Sequence, residues 1–81
     1  MIIHRGTSLK EAIKVKTNPH DSSYAESLIE HYLDELFGIE DGAYFIQSSA
    51  IYTLQNNRKF RVMYIEDKDT IKHQIFFEYI T

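Results

Sequence analysis

Apolar positions follow two spacings along this chain, helical in the first half and alternating in the second. The clearest helical stretch holds Ala25, Leu28, Ile29, Tyr32, Leu36 and Phe37, which recur three and four residues apart and form one stripe. Ser23-Tyr24-Ala25-Glu26 has the capping-box spacing at its start, and Gly38 stands where a left-handed C-cap belongs. The spacing predicts a helix over residues 24–37. A shorter helix is expected upstream, because Ser8-Leu9-Lys10-Glu11 repeats the capping-box spacing. It would run to about Lys16 and bury Leu9, Ala12 and Ile13, with Lys14 and Lys16 at the end the macrodipole favours for cations. Asn18-Pro19 would end it, since the residue before proline avoids the helical region. Met1-Ile2-Ile3-His4 suits a short first strand.

After Glu40-Asp41-Gly42 the period falls to two, and the segment is rich in aromatic residues, as strands favour. Tyr44, Ile46, Ala50, Tyr52 and Leu54 share one parity, with Ser48-Ser49 among them, which predicts one long strand bent by a bulge. Residues 58–66 and 71–80 read as two further strands. A three-residue loop at Gln55-Asn56-Asn57, with one Asn left-handed, sets Tyr52 opposite Phe60 and Ala50 opposite Val62, so apolar residues meet. Closing the next hairpin through Asp67-Lys68-Asp69-Thr70 sets Phe60 against Phe77, Val62 against Ile75 and Tyr64 against His73. The core face is then Tyr44, Ile46, Ala50, Tyr52, Leu54, Phe60, Val62, Tyr64, Ile75, Phe77 and Tyr79, under the helix 24–37.

The expected fold is α+β, a single domain over residues 1–81. An antiparallel sheet of three to four strands would pack against one long amphipathic helix, with a short N-terminal helix besides. The back of the sheet would carry Lys59, Arg61, Lys72, Gln47, Gln74 and Glu78 among Phe45, Ile51, Met63, Ile65, Phe76 and Ile80. So many large apolar side chains call for a cover, either the first helix or a second chain. Phe45, Met63, Ile65 and Phe76 are the candidate dimer surface.

Charge sharpens this picture more than composition does. The chain has 81 residues, is 43% apolar and 26% charged, and carries a formal net charge of −3. Every Lys and Arg lies in residues 5–16 or 58–72, and the segment between holds Asp21, Glu26, Glu30, Asp34, Glu35, Glu40 and Asp41. The middle is therefore −7, while nine basic residues against the other five acids leave the flanks at +4. With no cysteine, disulfides, thiolate zinc sites and a Cys nucleophile are excluded. No apolar run reaches the roughly 20 residues of a membrane helix, the first residues do not read as a signal peptide, and a cytoplasmic address is expected.

The acidic stripe is the sharpest candidate for function. Glu26, Glu30 and Asp34 are spaced i, i+4, i+8 on the polar face of the helix, where like charges cost about 0.2–0.5 kcal/mol per pair. Asp34 and Glu35 also fall in the last turn, where the dipole disfavours anions. Asp21, Glu40 and Asp41 extend the surface at both ends. A solvated helix face, balanced by nearby basic residues and screened by salt, is the plainer account.

Other chemistry is weaker. Arg58-Lys59-Phe60-Arg61 resembles a nucleic-acid contact, but alternation sends Arg58 and Phe60 one way, Lys59 and Arg61 the other, and Lys59 would face Glu78. The acidic middle also lacks the electrostatic footprint of a nonspecific nucleic-acid binder. His31 and Glu35 are i, i+4, and His20 adjoins Asp21, but no metal-ligand spacing occurs; His73 reads as an inward, hydrogen-bonded histidine. Phosphate loops, nucleophile elbows and opposed carboxylates are missing, and Ser8 is spent on a cap, so neither catalysis nor a cofactor is expected.

The preferred expectation is a non-enzymatic protein whose acidic helix occupies a basic site on a nucleic-acid-binding or nuclease partner. In size, charge segregation and lack of catalytic motifs the chain resembles the small phage-encoded inhibitors of host defence, anti-CRISPR proteins among them. The resemblance is one of type, with no family motif matched and no residue role carried over. One rival is a homodimeric module joined through the back of its sheet or a free strand edge. The other is a nucleic-acid-binding domain using Lys59, Arg61 and Phe76.

Overall fold

The computed structural model describes residues 6–18, 20, 21 and 23–80. Its elements are β1 (Ile13–Lys16), α1 (Tyr24–Phe37), β2 (Tyr44–Thr53), β3 (Lys59–Asp67) and β4 (Lys72–Ile80). The fold is α+β: among the described residues there is one helix and a four-stranded sheet in the order β1-β4-β3-β2. The sheet is mixed, because β1 runs parallel to β4 while the two hairpins are antiparallel. The Met1–His4 strand falls outside the described residues.

The N-terminal helix is not formed. Ser8 keeps part of its local role, since the Glu11 N–H donates to its hydroxyl oxygen at 3.3 Å and to its carbonyl at 3.2 Å. The chain then extends instead of coiling. Ile13 and Val15 are buried beside β4, and Lys14 and Lys16 point outward. Two β-branched residues at period two, next to the open edge of β4, outweigh a helical pattern only a few residues long. Thr17 closes the strand, its N–H donating to the Ile80 carbonyl at 2.7 Å.

The helix α1 has the expected bounds; at 14 residues it is of ordinary length, not long. Its buried stripe is Ala25, Ile29, Leu33 and Phe37, flanked by half-buried Leu28, Tyr32 and Leu36. Leu33 is the deepest of these at 0% exposure and lies outside the stripe expected from the spacing. The expected capping box is not made. Ser23 turns both its N–H (3.0 Å) and its hydroxyl (2.7 Å) to the Asp21 carboxylate, and Glu26 reaches into the sheet instead. Gly38 ends the helix with a positive φ of 110°, but its ψ of 163° lies outside the left-handed helical region expected of the cap; its N–H donates to the Asp34 carbonyl at 2.8 Å. A side chain there would be strained by the positive φ, and its Cβ, 2.7 Å from the Glu40 carboxylate, would push the Glu40 side chain aside.

The first hairpin has the expected register, with Ala50 opposite Val62 and Tyr52 opposite Phe60. Asn57 is its left-handed residue, at φ 65°. β2 is one strand with an irregularity between Ile46 and Ser48, so the bulge falls at Gln47 and switches the face of every later residue. Tyr44 and Ile46 lie on the helix side, but Ala50 and Tyr52 lie on the other.

The second hairpin departs from expectation by one residue. Phe60 faces Glu78, Val62 faces Phe76 and Tyr64 faces Gln74. Its loop has three residues rather than four, closed by the Asp67 N–H on the Ile71 carbonyl at 2.9 Å. Thr70 takes the left-handed position at φ 63°, matching Asn57 in the first hairpin. Asp67 holds the turn by accepting the N–H groups of Asp69 (2.8 Å) and Ile71 (3.0 Å).

Because a one-residue slip flips a strand, the two faces of β3 are exchanged relative to expectation. Met63 and Ile65 pack under α1 with Ile75, Phe77, Ile13 and Val15. They are buried, so neither belongs to an exposed dimer surface. Phe60 and Val62 are buried on the opposite side, where Leu9 shares a hollow with Tyr52, Leu54, Val62 and Phe76. Of the candidate dimer residues, Phe45 is exposed and Phe76 is half-buried.

Candidate functional site

The acidic side of α1 borders the sheet, and the fold separates its carboxylates into two groups. Glu26 and Asp34 are tied down. Glu26 accepts from Arg61 Nη1 at 2.7 Å and from the Tyr79 hydroxyl at 3.1 Å. Asp34 accepts from the Tyr44 hydroxyl at 2.8 Å. These contacts staple the first and third turns of the stripe to β3, β4 and β2. They also offset the like-charge repulsion that the spacing implies.

Both phenols stay protonated in this setting. Burial pushes Tyr44 up to about 12, reinforced by its hydrogen bond to Asp34 and by the charge of Glu30. Burial likewise raises Tyr79 to about 12, with Arg61 opposing and Glu26 adding to the rise. They therefore act as donors to carboxylates across the neutral pH range.

The second group faces solvent. Among the described residues Glu30, Glu40 and Asp41 are exposed and form no ion pair, and Glu35 pairs only with His31, at 3.1 Å. Glu30 lies between the two stapled acids, on the wall of an open groove of about 300 Å³ floored by Ile29, Leu33, Ile46 and Met63. Asp21 is exposed too, and its carboxyl is held below the ordinary range by the Ser23 hydroxyl and N–H. Of the seven acids expected to form one surface, Glu26 and Asp34 are thus engaged internally and five remain outward. Tyr44 and Tyr79 were missed as partners because parity alone does not show which strand a helix crosses.

The basic cluster is taken up within the fold. Arg58 makes a two-pronged pair with the buried Glu78 at 2.8 and 2.9 Å and lies over the Phe60 ring. That arginine, helped by Lys14, holds the Glu78 carboxyl below its ordinary range against the effect of burial. Lys59 stands over the Tyr79 ring at 5.5 Å instead of meeting Glu78. Arg61 is bound to Glu26. Arg58 and Phe60 share one side of the sheet and Lys59 and Arg61 the other, as strand alternation implies.

His73 is inward and hydrogen-bonded, as its parity implied. Its Nε2 is 2.8 Å from Asp67 Oδ2, and its ring packs on Phe37. That bond, with the Ile71 and Asp69 N–H groups, lowers the Asp67 carboxyl despite its burial. The pair sits on the helix side of the sheet, whereas Ser48 follows the bulge on the far side. Among the described residues no three His, Cys, Asp or Glu side chains cluster as metal ligands, and no helix is long and apolar enough to cross a membrane.

Comparison with protein-family models, with curated proteins and with solved structures found no match.

Proposed function

We propose that the chain is a small non-enzymatic binding protein that places its outward acids on a basic surface of a partner. The partner class is a nucleic-acid-binding or nuclease protein, and the mode of action is competition with phosphate for its cationic site. This is the manner of small phage-encoded inhibitors such as anti-CRISPR proteins, acting in the cytoplasm. The observation that carries the reading is the solvent-facing set Asp21, Glu30, Glu35, Glu40 and Asp41, in a stretch without Lys or Arg. The internal engagement of Arg58, Lys59 and Arg61 weighs against the nucleic-acid-binding alternative.

The test is displacement of labelled nucleic acid from a panel of purified nucleases and nucleic-acid-binding proteins. Wild type is compared with Glu30→Lys/Glu40→Lys/Asp41→Lys, which leaves Glu26, Asp34 and their sheet partners intact. At least one panel member should be displaced by wild type, with tenfold or greater loss in the triple variant and weakening by added salt. Equal displacement by both proteins would refute the reading.

A further inference from the structure

The outer edge of β2 is open. Among the described residues no strand lies beside it, since β2 ends the order β1-β4-β3-β2. Residues 43–57 contain no charged side chain, so this edge has none of the lysines or inward charges that keep strand edges apart. Its apolar residues are half or more exposed on the helix side, with Ile46 at 53% and Ile51 at 50%, and Phe45 is at 57% on the far side.

The direction of the free backbone groups follows from the first hairpin. The Leu54 N–H donates to the Arg58 carbonyl at 2.8 Å, so Leu54, Tyr52, Ala50 and Ser48 turn their main-chain groups toward β3. Ser49, Ile51 and Thr53 therefore turn theirs to the open edge. This regular stretch is bounded by the bulge at Gln47 on one side and by the turn after Leu54 on the other.

We infer that β2 pairs with β2 of a second copy, antiparallel about a two-fold axis at Ile51, joining two sheets into one. The axis falls at Ile51 because it is the middle of the three outward-facing residues. Ser49 then faces Thr53 of the other copy, hydroxyl against hydroxyl, and the two Ile51 side chains cover each other. On the far side the small Ala50 faces the large Tyr52. No charge on the strand meets its own image across the axis, which is the usual obstacle to symmetric edge pairing. A second copy fits on each of these counts, whereas an uncharged strand offers a basic foreign strand no matching charge. The pairing goes beyond the proposed function and does not depend on it, because it uses none of the outward acids.

Sedimentation equilibrium reads the outcome directly. Wild type should show twice the 9.6 kDa chain mass at high concentration. Ile51→Pro should halve that mass while keeping its circular dichroism, because proline is tolerated where the N–H faces outward from an edge. Should Ile51→Pro fail to fold, single cysteines decide, since the chain has no other. Facing residues of a hydrogen-bonded pair lie about 5.5 Å apart, within disulfide reach, so oxidised Ile51→Cys should link to itself. Ile39→Cys, at 84% exposure but off the strand, should not. A monomeric wild type at all concentrations would overturn the inference, whether or not a basic strand peptide binds the edge. So would a dimer in which folded Ile51→Pro keeps its mass, or in which the two cysteines cross-link equally.

Discussion

The sheet has two edges, and they are built differently. β1 is four residues long, with Lys14 and Lys16 outward and Ile13 and Val15 buried beneath α1. β2 is ten residues long, bears no charge and leaves most of its side chains exposed on both faces. Short length and lysines are the ordinary defences of a strand edge, and β1 has both. β2 has only the bulge at Gln47. The contrast shows that one edge is finished as a surface while the other retains the chemistry of an interior strand.

Alanine substitution sharpens the contrast most strongly. Ile13→Ala should destabilise the chain by about 2–5 kcal/mol, because it empties a fully packed site under the helix. Ile51→Ala should change the stability of the isolated chain by less than about 1 kcal/mol, since half of that side chain is already in water. Urea unfolding at low protein concentration, where self-pairing is absent, checks both. Equal losses at the two positions would erase the distinction between the edges.

The turns that place the strands give a smaller effect. Thr70 is β-branched at φ 63°, a conformation that costs such residues about 1 kcal/mol or more, while Asn57 adopts φ 65° with little strain. Thr70→Gly should stabilise the fold by about 0.5–1 kcal/mol, net of the greater freedom glycine adds to the unfolded chain. Asn57→Gly should shift it by a few tenths. Thermal melts of the two variants would show the asymmetry, and a loss of stability in Thr70→Gly would contradict it.

Asp67 contributes the smallest and most conditional effect. Its folded carboxyl is held below the ordinary value of 3.8, first by His73 and then by the turn N–H groups against burial. A depressed acid gives stability that is present above its unfolded value and is lost as pH falls through the folded one. Stability should therefore decline below about pH 4, and Asp67→Asn should be less stable near neutrality with a shallower decline. Unfolding midpoints measured across the acid range would check the sign.

These elements also mark how far the chain could be read unaided. The helix 24–37 was legible because its apolar stripe repeats over four turns, long enough to be unambiguous. The first hairpin was legible because Asn57 is a residue that takes positive φ readily. The second was misplaced because Thr70 gives no such sign, and Asp67, which organises the turn, looks like an ordinary loop acid. That single residue reversed the faces of β3 and moved Met63 and Ile65 from a candidate surface into the core. β1 was hidden because Leu9, Ala12 and Ile13 fit a helix locally, and only the vacancy beside β4 makes them a turn and a strand. For the acidic site, residue types and spacing were legible, but the division into stapled and free acids was not. It depends on Arg61, Tyr44 and Tyr79, which come from three different strands.

The most direct measurement of the open-edge account is amide hydrogen exchange along β2 at low and high protein concentration. The amides of Ala50 and Tyr52, which face β3, should be protected at both concentrations. Those of Ser49, Ile51 and Thr53 should exchange rapidly when dilute and slow by tenfold or more when concentrated, as they pair with a second chain. Rapid exchange at these three positions at every concentration would show that the edge stays open, and the account would fail.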